Sequence, residues 1–432
     1  MRFLATLLIV LWAALPARAE IDIQEVKTPG GITAWLVEDH NIPFVALELR
    51  FRGGASLDDP AKRGATYLMT GLLEEGAGDL DSRAFAEAVE SQAASFGFDV
   101  GDDALSVSAR FLTENRAASL DLLRLALTET RFDADAIERV RAQVISGLRS
   151  AEKDPNDIAS KAFDAMVYGD HPYGSPYRGT VDSVAALTRE DLVAAKEGAM
   201  ARDRIYVSAV GDITAEELAV LLDDLLAGLP ETGAPLPGPA KLNFPGGVTV
   251  VPFDTPQSVA LWGQPGIGFD DPDFFAAYVM NTVLGGGGFD SRLMTEVREK
   301  RGLTYGVGSF MVGKDQADLL MGQVASGNDR MAEAIQVIQD EWRRMATEGV
   351  TEAELTQAKT YLTGAYPLRF DGNARIAGIL VGMEVDGMAI DYARTRNEQV
   401  DAVTLEDVQR VAARLLDPET MTFVVVGAPA GL

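Results

Sequence analysis

The sequence predicts an α+β fold of two tandem homologous domains, each a mostly antiparallel sheet packed with helices. Three observations predict this fold. Segments of alternating apolar residues are interspersed with long stretches of helical period. Short sequences of the first half recur in the second half, in the same order. A stretch with five prolines, residues 230–245, separates the halves and is typical of a semi-rigid linker.

The composition excludes several classes of protein. The chain has 432 residues, of which 47% are hydrophobic and 24% charged, as in ordinary globular proteins. Its net charge of −27 repels phosphate backbones and argues against a nucleic-acid partner. Because there is no cysteine, disulfides, thiol nucleophiles and cysteine-based metal sites are excluded. Only His40 and His171 could serve histidine-based chemistry.

Residues 1–19 have the pattern of a secretory signal peptide. Arg2 gives a positive start, residues 3–15 are apolar, and residues 17–19 read Ala-Arg-Ala. The apolar run is shorter than the roughly 20 residues that span a bilayer as a helix. We therefore expect cleavage after this segment and a periplasmic chain without a membrane span. A short anchor that stays in place is the alternative.

The first domain, residues 20–229, opens with two alternating segments, 31–38 and 44–51, separated by Asn41-Ile42-Pro43. This order predicts a hairpin-like pair of strands. Periodicity and capping residues predict helices at about 59–75, 82–96, 115–130, 133–151, after Thr188, and up to about residue 229. Strands are predicted at 98–111 and 205–210, and a loop rich in Pro, Gly and Tyr at 170–180.

The second domain, residues 246–432, repeats the first at nearly constant spacing. The matched pairs are Asp59-Pro60 with Asp271-Pro272, Asp81-Ser82-Arg83 with Asp290-Ser291-Arg292, residues 132–147 with 350–364, and residues 206–211 with 422–427. No single match is specific, but their common order predicts a duplicated domain.

Most motifs of known active sites are absent. No G-x-S-x-G sequence occurs, so a nucleophile-elbow hydrolase has no support. Residues 308–314 begin like a phosphate-binding loop, but Asp315 stands where Ser or Thr must meet magnesium. Nucleotide binding is therefore not expected.

Residues 284–305, LGGGGFDSRLMTEVREKRGLTY, are far more specific. The four glycines let the backbone bend sharply or lie close to another chain. A helix is predicted from about Ser291, and an extended run from Tyr305 to Phe310. This segment resembles the glycine-rich loop and Arg-Glu-Lys-Arg-Gly-Leu-x-Tyr run of the pitrilysin/insulinase family of zinc peptidases, which includes processing peptidases. The resemblance implies that Gly285, Gly286, Gly287, Gly288, Arg298 and Tyr305 bind the substrate in trans.

The resemblance also locates a zinc motif that this chain has lost. Peptide-cleaving members carry His-x-x-Glu-His on a first-domain helix and a glutamate ligand on a later helix. These positions correspond here to Tyr67, Thr70, Gly71 and Gly147. Tyr and Thr are poor zinc ligands beside imidazole and carboxylate, and Gly offers none. A site built on Glu74 or Glu75 is an alternative, although those side chains are expected to face solvent.

The resemblance therefore implies a non-catalytic, substrate-binding subunit of a periplasmic two-subunit zinc metallopeptidase. Such a chain would be inactive alone and bind no metal itself. Its partner would be a homologous subunit bearing His-x-x-Glu-His and zinc, and the pair would hydrolyse peptides with the help of Arg298 and Tyr305. The alternative is a non-proteolytic binding or scaffold protein of the cell envelope, in which the loss of the zinc motif would be equally expected.

Overall fold

The computed structural model describes residues 21–432, so the predicted signal peptide lies outside the described residues. The strands are β1 (Gln24–Lys27), β2 (Thr33–Glu38), β3 (Phe44–Arg52), β4 (Gly76–Ala77), β5 (Leu80–Asp81), β6 (Ser95–Val100), β7 (Ala104–Leu112), β8 (Ile205–Gly211), β9 (Gly247–Pro252), β10 (Gln257–Pro265), β11 (Val307–Lys314), β12 (Ala317–Gly327) and β13 (Thr422–Gly427).

Helices occupy most of the rest. They are α1 (Ala65–Thr70), α2 (Ser82–Ser91), α3 (Arg116–Thr128), α4 (Ala134–Ala151), α5 (Pro155–Tyr168), α6 (Val181–Ala186), α7 (Arg189–Ala199), α8 (Ala215–Leu226), α9 (Phe274–Asn281), α10 (Met331–Glu348), α11 (Glu352–Ala365), α12 (Asn373–Val385), α13 (Tyr392–Ala402) and α14 (Leu405–Leu415). None of those within residues 21–432 is both long and apolar enough to cross a bilayer.

Two sheets share one strand order. The first runs β2-β8-β3-β7-β6, with β1 added outside β2, and the second runs β9-β13-β10-β12-β11. In each sheet one strand pair is parallel, β2 with β8 and β9 with β13, and the other pairs are antiparallel. Helices of the same half pack on one face of each sheet and enclose a separate apolar core. The predicted α+β fold with a duplicated, mostly antiparallel sheet is confirmed.

The predicted hairpin of the first two segments is wrong. Strand β8 lies between β2 and β3, so that Ser208 stands opposite both Trp35 and Glu48. Most of β8 is buried, and a buried strand needs partners on both edges to satisfy its backbone polar groups. Strand β8 therefore pairs with both β2 and β3 and separates them. The antiparallel partner of β2 is β1.

Two predicted helices are shorter than their sequence pattern. The segment 59–75 contains a 3-10 turn at Pro60–Lys62 and then α1, because Gly64 adopts a φ of +95° between them. Helix α2 ends at Ser91, where Ala93 has a φ of +52° near the start of β6. The helix predicted after Thr188 is confirmed as α7, and Thr188 forms a capping box with Asp191.

One helix of each half packs on the sheet of the other half. Helix α5 of the first half packs on the second sheet, where Phe163 is fully buried and approaches Gly263 so closely that a Cβ there would lie 2.6 Å from its ring. Helix α12 of the second half packs on the outer face of the first sheet, and the hydroxyl of Ser208 donates to the carbonyl of Ala377 at 2.6 Å. This reciprocal exchange fixes the halves against each other.

Homologous turns also meet between the halves. The ammonium of Lys314 lies 2.7 Å from a carboxylate oxygen of Asp102, and Arg52 lies 3.0 Å from Asp315. The Tyr173 hydroxyl donates to Asp103 beside them. Lys314 and Asp315 end the stretch that begins like a phosphate loop, and they join the two halves of the protein. Residues 230–246 contain neither helix nor strand, and they contact both halves through hydrogen bonds to Gln316 and Val167.

Candidate functional site

A cavity of about 320 Å³ lies in the first half, between helices α1 and α4 and the edge strand β6. Its lining includes Tyr67, Thr70, Gly71 and Gly147. The structure thus brings together all four positions that the sequence resemblance assigns to a zinc site. They converge because α1 and α4 pack side by side in the first-half core, with Leu68 and Val140 among the buried residues there.

The side chains present do not fit a zinc ion. The Tyr67 ring packs edge-on against Tyr177, with centroids 5.7 Å apart. The hydroxyl of Thr70 donates to the carbonyl of Thr66 within the helix, at 2.8 Å. Gly71 and Gly147 bring no side-chain donor. Within residues 21–432, no group of three or more His, Asp or Glu side chains could hold a metal.

The other candidate ligands are engaged elsewhere. The carboxylate of Glu75 pairs with Arg139, and Glu74 is exposed. His40 lies between Asp212 at 2.7 Å and Glu38 at 3.2 Å, and hydrogen bonds to these carboxylates raise its pKa. His171 accepts from the backbone N–H of Tyr173 through Nδ1, which leaves Nε2 to donate to the carbonyl of Gly238. Neither histidine lines the cavity.

A cation lies at the wall of the cavity instead. The guanidinium carbon of Arg178 is 5.7 Å from the centre of the Tyr67 ring and 5.3 Å from that of Tyr177. Its Nε donates to the Tyr177 hydroxyl at 3.0 Å. Sequence reasoning missed Arg178, since the only local signal is a loop rich in Pro, Gly and Tyr. Its role depends on contacts with an element more than a hundred residues away in the chain.

Two glycines hold the loop of Arg178 against the start of α1. A Cβ at Gly64 would lie 2.7 Å from the carbonyl oxygen of Arg178, and one at Gly179 would lie 2.4 Å from that of Arg63. Both glycines have positive φ, +95° and +78°. The buried Arg63 side chain donates to the carbonyls of Pro172 and Ser175 at 2.8 and 3.1 Å. The backbone at Arg178 is therefore positioned by close packing at Gly64 and Gly179, and the Arg63 side chain holds the preceding part of the loop by hydrogen bonds.

The glycine-rich segment of the second half extends α9. Residues Thr282–Gly286 form a π-helical turn, a geometry frequent at functional sites. Gly285 is buried against β11, where a Cβ would lie 2.3 Å from the hydroxyl oxygen of Ser309. Ser309 is itself held by Asn281, to which its hydroxyl donates at 2.7 Å. Gly286, Gly287 and Gly288 follow and lead to the exposed ring of Phe289.

Arg298 lies half-buried at the surface of the second half. It belongs to a second π-helical stretch, Met294–Glu299, and its guanidinium carbon is 4.9 Å from the centre of the Phe289 ring. The neighbouring cations Lys300 and Arg301 pair with Glu296 at 2.6 and 2.8 Å. No carboxylate among the described residues pairs with Arg298.

Tyr305 precedes β11, and its side chain is 89% exposed. No hydrogen bond joins Tyr305 to Arg298 among the described residues.

The second half has a counterpart of the cavity, but a much smaller one. It lies between the π-helical turn and α11, and its volume is about 40 Å³. There Arg292 binds both carboxylate oxygens of Glu354, at 2.6 and 2.7 Å. The duplicated framework therefore does not by itself produce a large cavity, and the space in the first half depends on its own residues.

The duplicated α+β framework, with a cavity at the positions that the sequence resemblance assigns to a zinc motif, defines a protein of the zinc-peptidase class in which the described residues at those positions offer no metal ligand. Residues 33–181 match the family model described as insulinase (peptidase family M16), and residues 186–362 match the model described as peptidase M16 inactive domain. A solved structure from Pseudomonas fluorescens, described as a peptidase M16 inactive domain, shares 30% identity and a TM-score of 0.88, over 95% of this chain and 98% of that one. The chain belongs to peptidase family M16, and the resemblance drawn from the sequence is confirmed.

Two curated relatives match most of the chain. The non-peptidase homolog YmxG of Helicobacter pylori is 25% identical over 428 residues, which is 98% of each chain. The uncharacterized zinc protease Rv2782c of Mycobacterium tuberculosis is 28% identical over 376 residues, which is 84% of each chain. The names of the relatives thus include both a non-peptidase and zinc proteases.

Proposed function

We propose that this chain is the non-catalytic, substrate-binding subunit of a two-subunit zinc peptidase. One observation carries the proposal: the four positions that correspond to the zinc motif line one cavity without a zinc-binding side chain, whereas Arg298 and Tyr305 reach the surface with no side-chain hydrogen-bond partner among residues 21–432. A homologous partner bearing His-x-x-Glu-His would hold the zinc and carry out hydrolysis. Taken alone, the chain would have no peptidase activity.

The chemistry of Arg298 and Tyr305 suits this role. A guanidinium presents a planar fork of donors to a peptide carbonyl, and a phenol can donate to an oxyanion that develops during hydrolysis. The contact with Phe289 holds the Arg298 guanidinium over an aromatic face, which restricts its motion before substrate arrives. Both side chains reach the surface, as a group acting at a partner's active site must.

The sheet edges support a peptide as the ligand. Strands β6 and β11 end their sheets, so one edge of each has no strand neighbour among the described residues. An edge strand presents unpaired N–H and C=O groups that can pair with an extended peptide. Phe98, Asp99 and Val100 of β6 line the cavity, and Tyr305 lies just before β11.

The relatives support the absence of independent activity. The Helicobacter pylori relative is called a non-peptidase homolog, and the Pseudomonas fluorescens structure is described as an inactive domain. The periplasm is the proposed location, based on the signal-like pattern of residues 1–19. A non-proteolytic binding or scaffold role in the envelope is the competing function.

The test is to tag the chain in its native host, purify it gently and identify its companions by mass spectrometry. A stoichiometric companion with His-x-x-Glu-His, zinc that follows the companion, and peptidase activity only in the pair are expected. Recovery of the chain alone, or with unrelated envelope proteins, would contradict the subunit role and favour the scaffold role.

A further inference from the structure

We propose that the first-half cavity is a binding site in its own right, in which Arg178 takes a carboxylate of a short peptide. The carboxylate can belong to the peptide's C-terminus or to an acidic side chain. This site requires neither a partner subunit nor zinc, so it goes beyond the role proposed above and stands or falls separately from it.

The charge of Arg178 is not neutralised by an ion pair. Its guanidinium makes one hydrogen bond within the described chain, from Nε to the Tyr177 hydroxyl, and both terminal nitrogens remain for a ligand. A guanidinium offers parallel donors that match the two oxygens of a carboxylate. Asp99, the other charged residue of the lining, forms no ion pair with Arg178 among the described residues, and neither does Asp157, whose charge acts on Arg178 without a hydrogen bond.

The guanidinium is held in place before a ligand binds. It lies against two tyrosine rings, Tyr67 and Tyr177, and its backbone is fixed against the start of α1 by the close approach at Gly64. Arginine on aromatic faces gains a favourable cation–π interaction. A side chain that is already ordered loses less conformational entropy on binding, and this favours affinity.

The shape of the cavity suits a small organic acid with an apolar part. Its volume of about 320 Å³ falls in the range of ligand pockets, roughly 300–1,000 Å³. Phe98, Val140 and Val144 give apolar walls, and Gln143 adds an amide that can bond a peptide group. Gly147 keeps the space open, because no atom lies within 4 Å of a Cβ built there.

A peptide fits this combination better than a simple anion. A phosphate or sulfate ion has no apolar group that could contact the apolar walls. A terminal peptide residue, by contrast, places an apolar side chain beside its carboxylate. The edge of β6 next to the cavity can pair with the rest of an extended peptide. The ligand class is therefore a short peptide with a carboxylate next to an apolar side chain.

The experiment uses the isolated mature chain and isothermal titration calorimetry with three probes. They are N-acetyl-Ala-Phe with a free carboxylate, its C-terminal amide, and N-acetyl-Asp-Phe-amide, whose carboxylate is on a side chain. We expect the C-terminal amide of the first probe to bind about 10- to 100-fold more weakly than the acid, because a charge-assisted pair is lost. If the third probe binds and the first does not, the carboxylate source is an acidic side chain.

Two variants and two controls assign the binding to the cavity. Arg178→Gln removes the charge and is expected to weaken the acid probe to the level of its amide, and Gly147→Phe fills the cavity and is expected to abolish binding. The matched controls are Arg83→Gln, an exposed arginine on α2, and Gly364→Phe, an equally open glycine on α11. Both controls are expected to bind like wild type.

The proposal is overturned if no probe binds, if acid and amide bind equally well, or if Arg178→Gln binds like wild type. Circular dichroism of each variant establishes that it is folded. Because no partner is present, failure here leaves the subunit role untouched, and loss of that role leaves this site untouched.

Discussion

The guanidinium carbon of Arg178 lies 5.7 Å from the ring centre of Tyr67, the residue that the sequence resemblance assigns to the first position of the zinc motif. A positive charge beside this position repels a metal cation. This repulsion acts in addition to the absence of zinc ligands. We therefore predict that two separable causes oppose zinc binding, the four substituted positions and the arginine from the following loop.

The two causes predict how a zinc site would return. Tyr67→His, Gly71→His and Gly147→Glu restore the three ligands, and Thr70→Glu restores the residue that activates water. A side chain at position 147 meets no atom within 4 Å of its Cβ, whereas one at position 71 would lie 3.2 Å from Val140. We expect the four-site variant that also carries Arg178→Ala to bind zinc roughly tenfold or more tightly than the four-site variant alone, because the repelling charge is gone. Equilibrium dialysis with metal analysis measures the zinc affinity of both variants. The control carries the other three substitutions but keeps Gly147.

Failure of the variant with Arg178→Ala to bind one equivalent of zinc would show that the cavity does not have the geometry of a metal site. Equal affinity with and without Arg178 would show that its charge does not act there.

Arg298 and Tyr305 of the second half predict a catalytic effect in the assembled complex. We expect Arg298→Ala to lower kcat/KM of the pair by about 10²- to 10³-fold, the usual cost of losing an electrostatic donor to the transition state. Tyr305→Phe, which removes only the hydroxyl, is expected to act in the same direction. Arg343→Ala, an exposed arginine of α10, is the control.

Size-exclusion chromatography of the same variants separates catalysis from assembly, which should be unaffected. Unchanged turnover in Arg298→Ala would remove the proposed role of the pair, and loss of assembly would make its role structural.

The close packing of Gly285 against β11 predicts a loss of stability when this residue is enlarged. A methyl group there would lie 2.3 Å from the Ser309 hydroxyl oxygen and 2.6 Å from its backbone nitrogen. We expect Gly285→Ala to lower the free energy of unfolding by about 1–3 kcal/mol, the usual cost of overpacking. The control Gly364→Ala has open space in α11 and should be neutral or stabilising by about 0.5–1 kcal/mol. Urea unfolding compares them, and equal stabilities would show that the turn relaxes at no cost.

The sequence predicted what depends on local pattern and on repetition. The helix capped by Thr188 and the matching final strands of both halves have their signals within a few residues or in the other copy. Helix α5 was missed although Asp154 and Pro155 are start signals that could have revealed it. The insertion of β8 between β2 and β3 depends on contacts across most of the first half, which no local pattern reports.

The candidate site divides in the same way. Tyr67, Thr70, Gly71 and Gly147 could be placed by family resemblance, because each stands at a fixed spacing in a recognisable helix. Arg178 has no motif, and its meaning comes from the close approach of two loops and from the ring of Tyr67. The role of Arg178 depends on tertiary contacts, so only the folded structure reveals it.

Buried carboxyl groups between the halves predict a pH dependence of stability. Glu384 lies on α12 over the first sheet and accepts from the backbone N–H of Val207 at 3.1 Å, and burial raises its pKa to about 8. Burial raises the pKa of Glu48 on β3, part of that sheet, to about 7, against the opposing effect of Arg50 and Arg110. At both sites the folded chain therefore keeps a proton that an unfolded glutamate loses at lower pH.

Stability must then fall as the pH rises from about 4.5 to about 8, since the folded state binds more protons in this window. The slope is up to ~1.4 kcal/mol per pH unit for one such group, and Glu384 adds no further loss above its own pKa. Glu384→Gln keeps an oxygen acceptor for Val207 and removes the ionisation, so we expect it to be more stable than wild type at pH 9 and similar at pH 5. Urea unfolding at several pH values measures this, with the exposed Glu398→Gln as control. A variant whose stability follows the wild-type curve at every pH would mean that Glu384 is ionised in the folded chain without cost, and that water reaches it between the sheet and α12.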